Sequence, residues 1–152
     1  MTNSCASEAA VRAHLDRWLQ ASRDMDIDAL RACYLPDVVS YDCHSAFEFR
    51  GIDAYSNHLA ACFSHMVAPA TIEMHELSIA VDDQLAFCHL TLRCGCRSKA
   101  GSERWSWLRS TVCMKKVGDH WLIVHDHCSA PFDPMSSQAM LDAGPEELKK
   151  VA

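Results

Sequence analysis

The stretch LRSTVCMKKVGDHWLIVHDHCSAPFD, residues 108–133, predicts a β-hairpin whose second strand ends in a cluster of reactive side chains. Two runs of mainly apolar and β-branched residues flank residues 117–120, and a short link that contains glycine is a common hairpin turn. The second run continues from the apolar segment 121–124 into the sequence HDHCS, residues 125–129. Because side chains alternate along a strand, only half of this cluster can face the interior.

The same kind of pattern extends the hairpin into a sheet. Strands are predicted at residues 71–81, 85–97, 103–117 and 121–129. Consecutive strands with links this short pair antiparallel, so we expect a meander.

The N-terminal part of the chain carries helical patterns instead. Apolar residues recur at helical spacing over 8–22, Asp26 can cap a second helix that ends before Pro36, and Gly51 opens a third helix. A short strand, 38–42, lies between the second and third helices. Helices followed by strands are the order typical of an α+β domain.

Length and composition indicate one domain, residues 1–134, with a C-terminal tail, residues 135–152. Pro145 suits a first helical turn, with Glu146 early and Lys150 late, so the tail is expected to form short helices.

The charge balance and the cysteines narrow the class of partner and the compartment. The net charge is -6 and no basic patch is present, so nucleic acid is not an expected partner. The chain shows neither a signal-peptide pattern nor a membrane span, which predicts a cytoplasmic protein. The nine cysteines are an odd number, and free thiols in a reducing compartment are the expected state.

Three segments resemble the nuclear-transport-factor-2-like superfamily, in its ketosteroid isomerase-like and SnoaL-like branch. They are DMDIDALRACYLPDVVSYD (24–42), RGIDAYSNHL (50–59) and the hairpin with its His-x-His-x-Ser ending. The same ending is similar to the association (hub) domain of calmodulin-dependent protein kinase II. The resemblance implies a cystatin-like cone, in which three helices pack in a curved antiparallel sheet around an apolar ligand pocket.

Within this resemblance, Asp42 corresponds to the catalytic base of the steroid isomerases and Trp18 to their oxyanion donor. A carboxylate between apolar walls is expected to have a raised pKa. A solvated Asp before a loop, and a Trp that anchors the core, are the alternative interpretations. Arg109 stands near the position of the isomerases' neutral carboxylic acid. It could bind a carboxylate or enolate, or pair with Asp42 or Asp126.

Candidate ligand-binding residues follow from the alternation of the last strands and from the third helix. They are Tyr55, Trp107, Thr111, Asp126 and His127. Asp126 is favoured as the inward residue, but a slip of one residue at the hairpin would exchange the two faces of its strand. His125 and His127 could also form part of a zinc site with Asp42, His44 or His58, although we expect no metal and no cofactor.

Two functions remain open at this point. The first is an enzyme, an isomerase, dehydratase or cyclase, that binds a small apolar carbonyl or carboxylate compound and uses Asp42 as base. The second is a non-catalytic ligand-binding or association module. Both predict a homodimer, because the outer face of such a sheet is large and apolar.

Overall fold

The computed structural model describes residues 2–145 of the chain, with side chains from residue 5 onward. Its helices are α1 (Thr2–Asp24), α2 (Ile27–Arg31) and α3 (Ile52–Phe63). The main sheet contains β1 (Tyr34–Tyr41), β2 (Phe49–Arg50), β3 (Met66–Val81), β4 (Leu85–Ser98), β5 (Glu103–Val117) and β6 (His120–Ser129). A separate small hairpin contains β7 (Phe132–Asp133) and β8 (Gln138–Ala139). No helix in this described part is long and apolar enough to cross a bilayer.

The strand order of the main sheet is β2-β1-β6-β5-β4-β3. The four long strands pair antiparallel in chain order, which confirms the predicted meander. β1 was expected in an antiparallel sheet, but it pairs with β6 in parallel, so the sheet is mixed. Parallel pairing needs a crossover connection, and the segment from α3 to β5 supplies it.

The helices cover one face of the sheet, and the core lies between them. From α1, Val11 and Leu15 are fully buried, as their helical spacing predicts. They meet alternate residues of the long strands, such as Cys88, Val112 and Ile123, each at most 1% exposed. This helix-covered side is called the inner face below, and the opposite side is called the outer face.

Two caps predicted from the sequence fix the helix boundaries. Asp26 is the N-cap of α2 and accepts a hydrogen bond from the backbone N–H of Ala29 at 3.0 Å. Gly51 precedes α3 with a φ of +83°, a region that glycine enters without strain. Its backbone N–H donates to the carbonyl of Val38 at 2.8 Å, which ties the start of α3 to β1.

Two boundaries differ from the sequence prediction. Tyr34 was assigned to the second helix, but α2 ends at Arg31 and β1 already begins at Tyr34. The β7–β8 hairpin over residues 132–139 was not predicted from the sequence. Glu146 and Lys150, on which the helical prediction rested, lie outside the described residues.

Candidate active site

Asp42 follows the last residue of β1, where the strand meets α3. Its side chain is 11% exposed. The backbone N–H of His44 donates to Oδ1 at 2.9 Å, and the ring Nδ1 of His44 lies 3.1 Å from the same oxygen. On Oδ2, the hydroxyl of Tyr55 donates at 3.3 Å and Nε2 of His58 lies 3.7 Å away. Three residues from the loop and from α3 therefore hold this carboxylate.

The pKa of Asp42 is lowered, contrary to the sequence prediction. Burial is the largest single influence and acts to raise the pKa, as expected. The ring and backbone hydrogen bonds from His44, together with the positive charge of that ring, outweigh it. Asp42 is therefore an ionised carboxylate at neutral pH.

Asp126, on β6, is the second carboxyl group of the site and is 7% exposed. The hydroxyl of Tyr34 donates to its Oδ2 at 3.1 Å, and the indole N–H of Trp18 donates to that hydroxyl at 2.8 Å. Its Oδ1 is buried and meets no hydrogen-bond partner, and neither does the buried Oγ of Ser40, the residue paired with it on β1. Neither atom forms a hydrogen bond of acceptable geometry, although the Ser40 hydroxyl is near enough to lower the pKa of Asp126.

Burial raises the pKa of Asp126, and the negative charge of Asp42 acts in the same direction. The nearby hydroxyls of Ser40 and Tyr34 oppose this rise without cancelling it. The pKa values of the two carboxyl groups are therefore shifted in opposite directions, and Asp126 is the weaker acid of the two.

Two tyrosines connect the carboxyl groups. The rings of Tyr34 and Tyr55 meet edge to face with centroids 5.6 Å apart. Burial raises the pKa of both phenols well above the ordinary value, so both remain hydrogen-bond donors. We call Tyr34, Asp42, Tyr55 and Asp126 the carboxyl cluster.

Two local features of the backbone bring the cluster together. Along β1, Val38 and Ser40 are buried and Asp42 continues that alternation, whereas the buried Tyr34 lies before a shift of the β1–β6 register. On β6 the ladder with β5 shifts between the pairs Met114↔Ile123 and Cys113↔His125, which leaves Val124 as an extra residue. Because of this bulge, Ile123 faces inward before it and Asp126 faces inward after it, although three positions separate them.

The sequence model of the SnoaL-like domain family matches residues 11–133, which include the whole carboxyl cluster. This chain belongs to the SnoaL-like domain family. A comparison with curated proteins returns no match.

Solved structures place the SnoaL-like protein in the NTF2-like fold. An NTF2-like protein of unknown function from Pseudomonas putida KT2440 is 34% identical and superimposes with a TM-score of 0.85. The match covers 93% of this chain and 99% of that protein. A ketosteroid isomerase-like protein from Erwinia carotovora atroseptica is 20% identical over 80% of this chain and 93% of its own, with a TM-score of 0.69. A calcium/calmodulin-dependent protein kinase II association domain-like protein from Xanthomonas campestris is 20% identical over 80% and 85%, with a TM-score of 0.71. The last two show a shared fold, and both resemblances expected from the sequence are confirmed at that level.

The predicted chamber in which Arg109 faces Asp42 does not exist in this SnoaL-like protein. On β5 the buried residues are Leu108, Ser110 and Val112, so Arg109 points to the outer face and is exposed. Trp107 and Thr111 share that outer side by alternation, so they do not line the inner face either. The sequence prediction chose the wrong set of alternating residues, because strand periodicity identifies two faces without saying which one is covered.

His127 is also placed on the outer side and is exposed. Its ring and that of His125 contact the ring of Tyr41 edge to face, with centroids 5.6 and 4.9 Å away. His125 Nδ1 lies 2.6 Å from the carbonyl oxygen of Val39. A zinc site that joins these histidines to Asp42 is therefore wrong, because the two groups lie on opposite faces.

One other group of donor atoms in the described chain could meet a metal ion. The ligand atoms of Asp42, Cys43 and His44 lie within 4.8 Å of one another. Asp42 and His44 already bind each other, so these side chains are satisfied without an ion.

The remaining predicted site residues fall into the cluster or directly behind it. Tyr55 contacts Asp42 as expected from its place on α3, and Asp126 faces inward as favoured. Trp18 donates its single N–H to Tyr34, so it supports the cluster indirectly rather than facing a ligand. Tyr34 and Ser40 were missed as site residues; the spacing of two residues from Ser40 to Asp42 is a strand signal, whereas Tyr34 lies beyond a register shift.

A separate cavity of about 830 Å³ opens at the other end of β6. His14, Arg17 and Trp121 are among its lining residues. His14 binds the carbonyl oxygen of Cys33 through Nε2 at 3.0 Å, and burial lowers its pKa to about 4. A neutral histidine with a backbone partner indicates a structural role in joining α1 to the turn between α2 and β1.

Proposed function

We propose that this SnoaL-like protein binds a small apolar carbonyl compound beside the carboxyl cluster and transfers a proton next to the carbonyl group. The observation that carries the proposal is the opposite pKa shift of two neighbouring carboxyl groups, Asp42 and Asp126. Enzymes that move protons at neutral pH commonly assign base and acid by separating two carboxyl groups in this way.

Asp42 is the base in this proposal. His44 binds Oδ1 twice, whereas Oδ2 has only the long hydrogen bond from Tyr55 and the more distant His58. Oδ2 is therefore the oxygen with remaining capacity to accept a proton. The loop 43–48 follows Asp42 directly and its Phe47 is 94% exposed, and a ligand would enter past this loop.

Asp126 is the acid that stabilises the developing oxyanion. Tyr34 holds its Oδ2, so a proton on the neutral group is directed to Oδ1, the buried atom without a partner. A donor fixed in a water-poor site stabilises developing negative charge without reorganising. Trp18 supports this donor, because its indole N–H donates a hydrogen bond to the hydroxyl of Tyr34.

The substrate class follows from the same geometry. Phe49, Cys94 and Cys128 pack against the hydrophobic core that includes Tyr34 and Tyr55, so the compound is expected to be small and apolar apart from its carbonyl group. The ketosteroid isomerase-like neighbour supports a carbonyl substrate. Isomerisation, dehydration and cyclisation of such compounds all begin with this proton transfer.

Deuterium exchange tests the proposal without knowledge of the product. A panel of enones and cyclic ketones is incubated with the protein in D2O, and loss of the proton signal next to the carbonyl group is followed by NMR. We expect exchange with at least one compound class, and a loss of about 10²- to 10⁴-fold in Asp42→Asn. Arg109→Gln, on the outer face, is the matched control and keeps the rate. An unchanged rate in a folded Asp42→Asn protein would contradict the assignment.

Association of two copies is a second proposal. The outer face presents the exposed side chains of Leu85, Phe87 and Trp105, at 59%, 51% and 42%. A homodimer would cover them, and the association domain-like neighbour fits such a role. Light scattering should give twice the chain mass for the wild type and a smaller mass for Phe87→Asp. A monomeric wild type would contradict it.

A further inference from the structure

The cavity of about 830 Å³ at the start of β6 takes no part in the proposed proton transfer. It lies between the C-terminal half of α1, α2 and the turn that joins β5 to β6, whereas Asp126 lies further along β6. Sites for small molecules typically measure about 300–1,000 Å³, so this volume suits a ligand. We call it the helix cavity, and its lining residues include Arg17, Ala29 and Trp121.

His14 fixes the guanidinium group of Arg17 at the helix cavity. The carbonyl oxygen of Cys33 can only accept, so Nε2 of His14 carries the proton in their contact of 3.0 Å. Nδ1 of the ring is then an acceptor, and Nη2 of Arg17 donates to it at 3.1 Å. Burial, followed by the charge of Arg17, lowers the pKa of His14 to about 4, so the ring is neutral at neutral pH and keeps this acceptor.

The positive charge of Arg17 is not neutralised by a neighbouring acid. In the part of the chain that the structure describes, Arg17 forms no ion pair, in contrast to Arg12, which pairs with Glu8 at 3.6 Å. A guanidinium group presents its N–H donors in a rigid fork that matches a carboxylate. The contact with His14 uses only part of that fork, so donors remain for an anionic ligand.

The acids of the helix cavity lie toward the end of α1 and already have hydrogen-bond partners. Asp24 follows Arg17 by two helical turns, which is about 10 Å along the helix axis. Both of its carboxylate oxygens accept from the side-chain amide of Gln20, at 3.0 and 2.9 Å. Asp26 caps α2 through the backbone N–H of Ala29. A second negative charge at this end would meet two carboxylates, so the charges favour a ligand with a single acidic group.

The remaining walls suit an apolar ligand body. Ala21 and Ala29 contribute small side chains from the helices, whereas Val117, Trp121 and Leu122 contribute larger ones from the β5–β6 hairpin. Trp121 is 3% exposed, so the core holds its ring in place. Burial of an apolar body against these side chains supplies affinity, and the guanidinium group sets the orientation.

We propose that the helix cavity is a second ligand site, which binds a small monocarboxylic acid with its carboxylate on Arg17 and its apolar body between the helices and the β5–β6 hairpin. The inference is independent of the proposed proton transfer, because none of its residues belongs to the carboxyl cluster.

The first experiment measures affinity for octanoate by isothermal titration calorimetry. We expect one saturable site in the wild type and binding at least about tenfold weaker in Arg17→Gln, which loses a charged hydrogen bond. Arg12→Gln is the matched control, because this arginine is on the same helix but does not line the helix cavity; it should keep the affinity within about twofold. Equal affinities in the wild type and Arg17→Gln, or no binding by the wild type, would overturn the proposal.

Two analogues of equal chain length test the ligand class. Octanamide has no charge for Arg17, and suberate carries a second carboxylate toward Asp24 and Asp26. We expect both to bind at least about tenfold more weakly than octanoate. Octanamide that binds as tightly as octanoate would contradict the role of the guanidinium group, and suberate that does so would contradict the single-charge preference.

The location is tested by amide NMR with octanoate. We expect shifts in the signals of residues 14–33 and 117–122 and none at Asp42. Ala29→Leu should fill the cavity and remove these shifts while its spectrum stays dispersed. Shifts confined to the carboxyl cluster, or unchanged binding in Ala29→Leu, would contradict the proposal. Cavity signals that respond to protein concentration but not to octanoate would also contradict it, because they would show that a second copy covers this surface.

Discussion

The two faces of the same sheet contain similar kinds of side chain but differ in what surrounds them. On the inner face, Asp42 and Asp126 are nearly covered and are joined to tyrosine hydroxyls. On the outer face, Arg109 and His127 alternate with buried residues of the same strands and are exposed. Covered groups have shifted pKa values because protein replaces water around them, so the chemistry of this sheet is concentrated on one side.

The comparison shows that a shift of one residue along a strand decides whether a side chain lies in the buried site or on the exposed surface. Arg109 and Ser110 are neighbours in the chain, yet Ser110 is 6% exposed and Arg109 is exposed. On β6 the bulge at Val124 changes which of the two alternating sets faces inward within a single strand. Substitutions on the two faces should therefore have very different effects.

The largest expected difference concerns proton transfer. Asp126→Asn keeps the shape of the side chain but alters the donor at the oxyanion position, and we expect the deuterium-exchange rate to fall about 10²- to 10³-fold. Arg109→Gln on the outer face should change it by less than about twofold. Rates are compared on the compound that the wild type exchanges fastest. Equal losses in the two variants would remove the functional distinction between the faces.

The next difference concerns stability along β6. Ile123 is fully buried, and Ile123→Ala should lower the free energy of unfolding by about 2–4 kcal/mol through lost contacts and the cavity left behind. His127→Ala, four residues along the same strand, should change it by about 0.5 kcal/mol or less. Urea unfolding followed by tryptophan fluorescence measures both. A large decrease in the free energy of unfolding of His127→Ala would indicate that the outer face is covered in solution.

A smaller difference is expected between two tyrosines of β1. Tyr34→Phe removes a hydroxyl that accepts from Trp18 and donates to Asp126, and should cost about 1–2 kcal/mol. Tyr41→Phe, at the outward end of the same strand with a 37% exposed side chain, should cost under about 0.5 kcal/mol. The two variants are matched because each loses one hydroxyl. If their unfolding midpoints coincide, the Trp18–Tyr34–Asp126 chain contributes no stability.

The smallest effect is a pH dependence with a defined sign. Because the folded pKa of Asp126 is raised, the folded protein retains a proton that the unfolded chain releases above about pH 4. This contribution to stability is complete below the unfolded pKa and is lost as pH rises through the folded pKa. Asp42 has the opposite sign: its contribution is present above the unfolded pKa and is lost as pH falls through the lowered folded pKa.

Urea titrations from about pH 3 to about pH 8, which begin below the unfolded pKa of aspartate, measure this dependence. Relative to that of the wild type, the free energy of unfolding of Asp126→Asn should increase as pH rises. Only the wild type must either retain a proton on the buried carboxyl group or ionise it. Arg109→Gln should show a constant difference from the wild type. A constant difference for Asp126→Asn would show that its pKa is not raised.

The fold was largely predictable from the sequence, because long periodic segments determine it. The four long strands begin within about five residues of their predicted positions, and Asp26 and Gly51 mark the helix starts as expected. The start of β1 was misjudged because Tyr34 fits the apolar spacing of the preceding helix as well as the alternation of the strand.

The site was predictable only in part. Asp42, Tyr55 and Asp126 were predicted and lie in the carboxyl cluster, whereas Arg109 was assigned to the wrong face. Alternation alone does not state which face the helices cover, and the bulge at Val124 interrupts it on β6. The sign of the pKa shift at Asp42 depended on His44, a loop residue whose contact with the carboxylate has no periodic signal.

Titration of the two aspartates by carbon NMR tests the central claim most directly. With the side-chain carboxyl carbons of Asp42 and Asp126 assigned through the Asp→Asn variants, their chemical shifts are followed as pH is changed. We predict that Asp126 titrates above an aspartate in an unfolded peptide and that Asp42 titrates below it. Two carboxyl groups that titrate together at the ordinary value, or in the reverse order, would contradict the assignment of base and acid on the inner face.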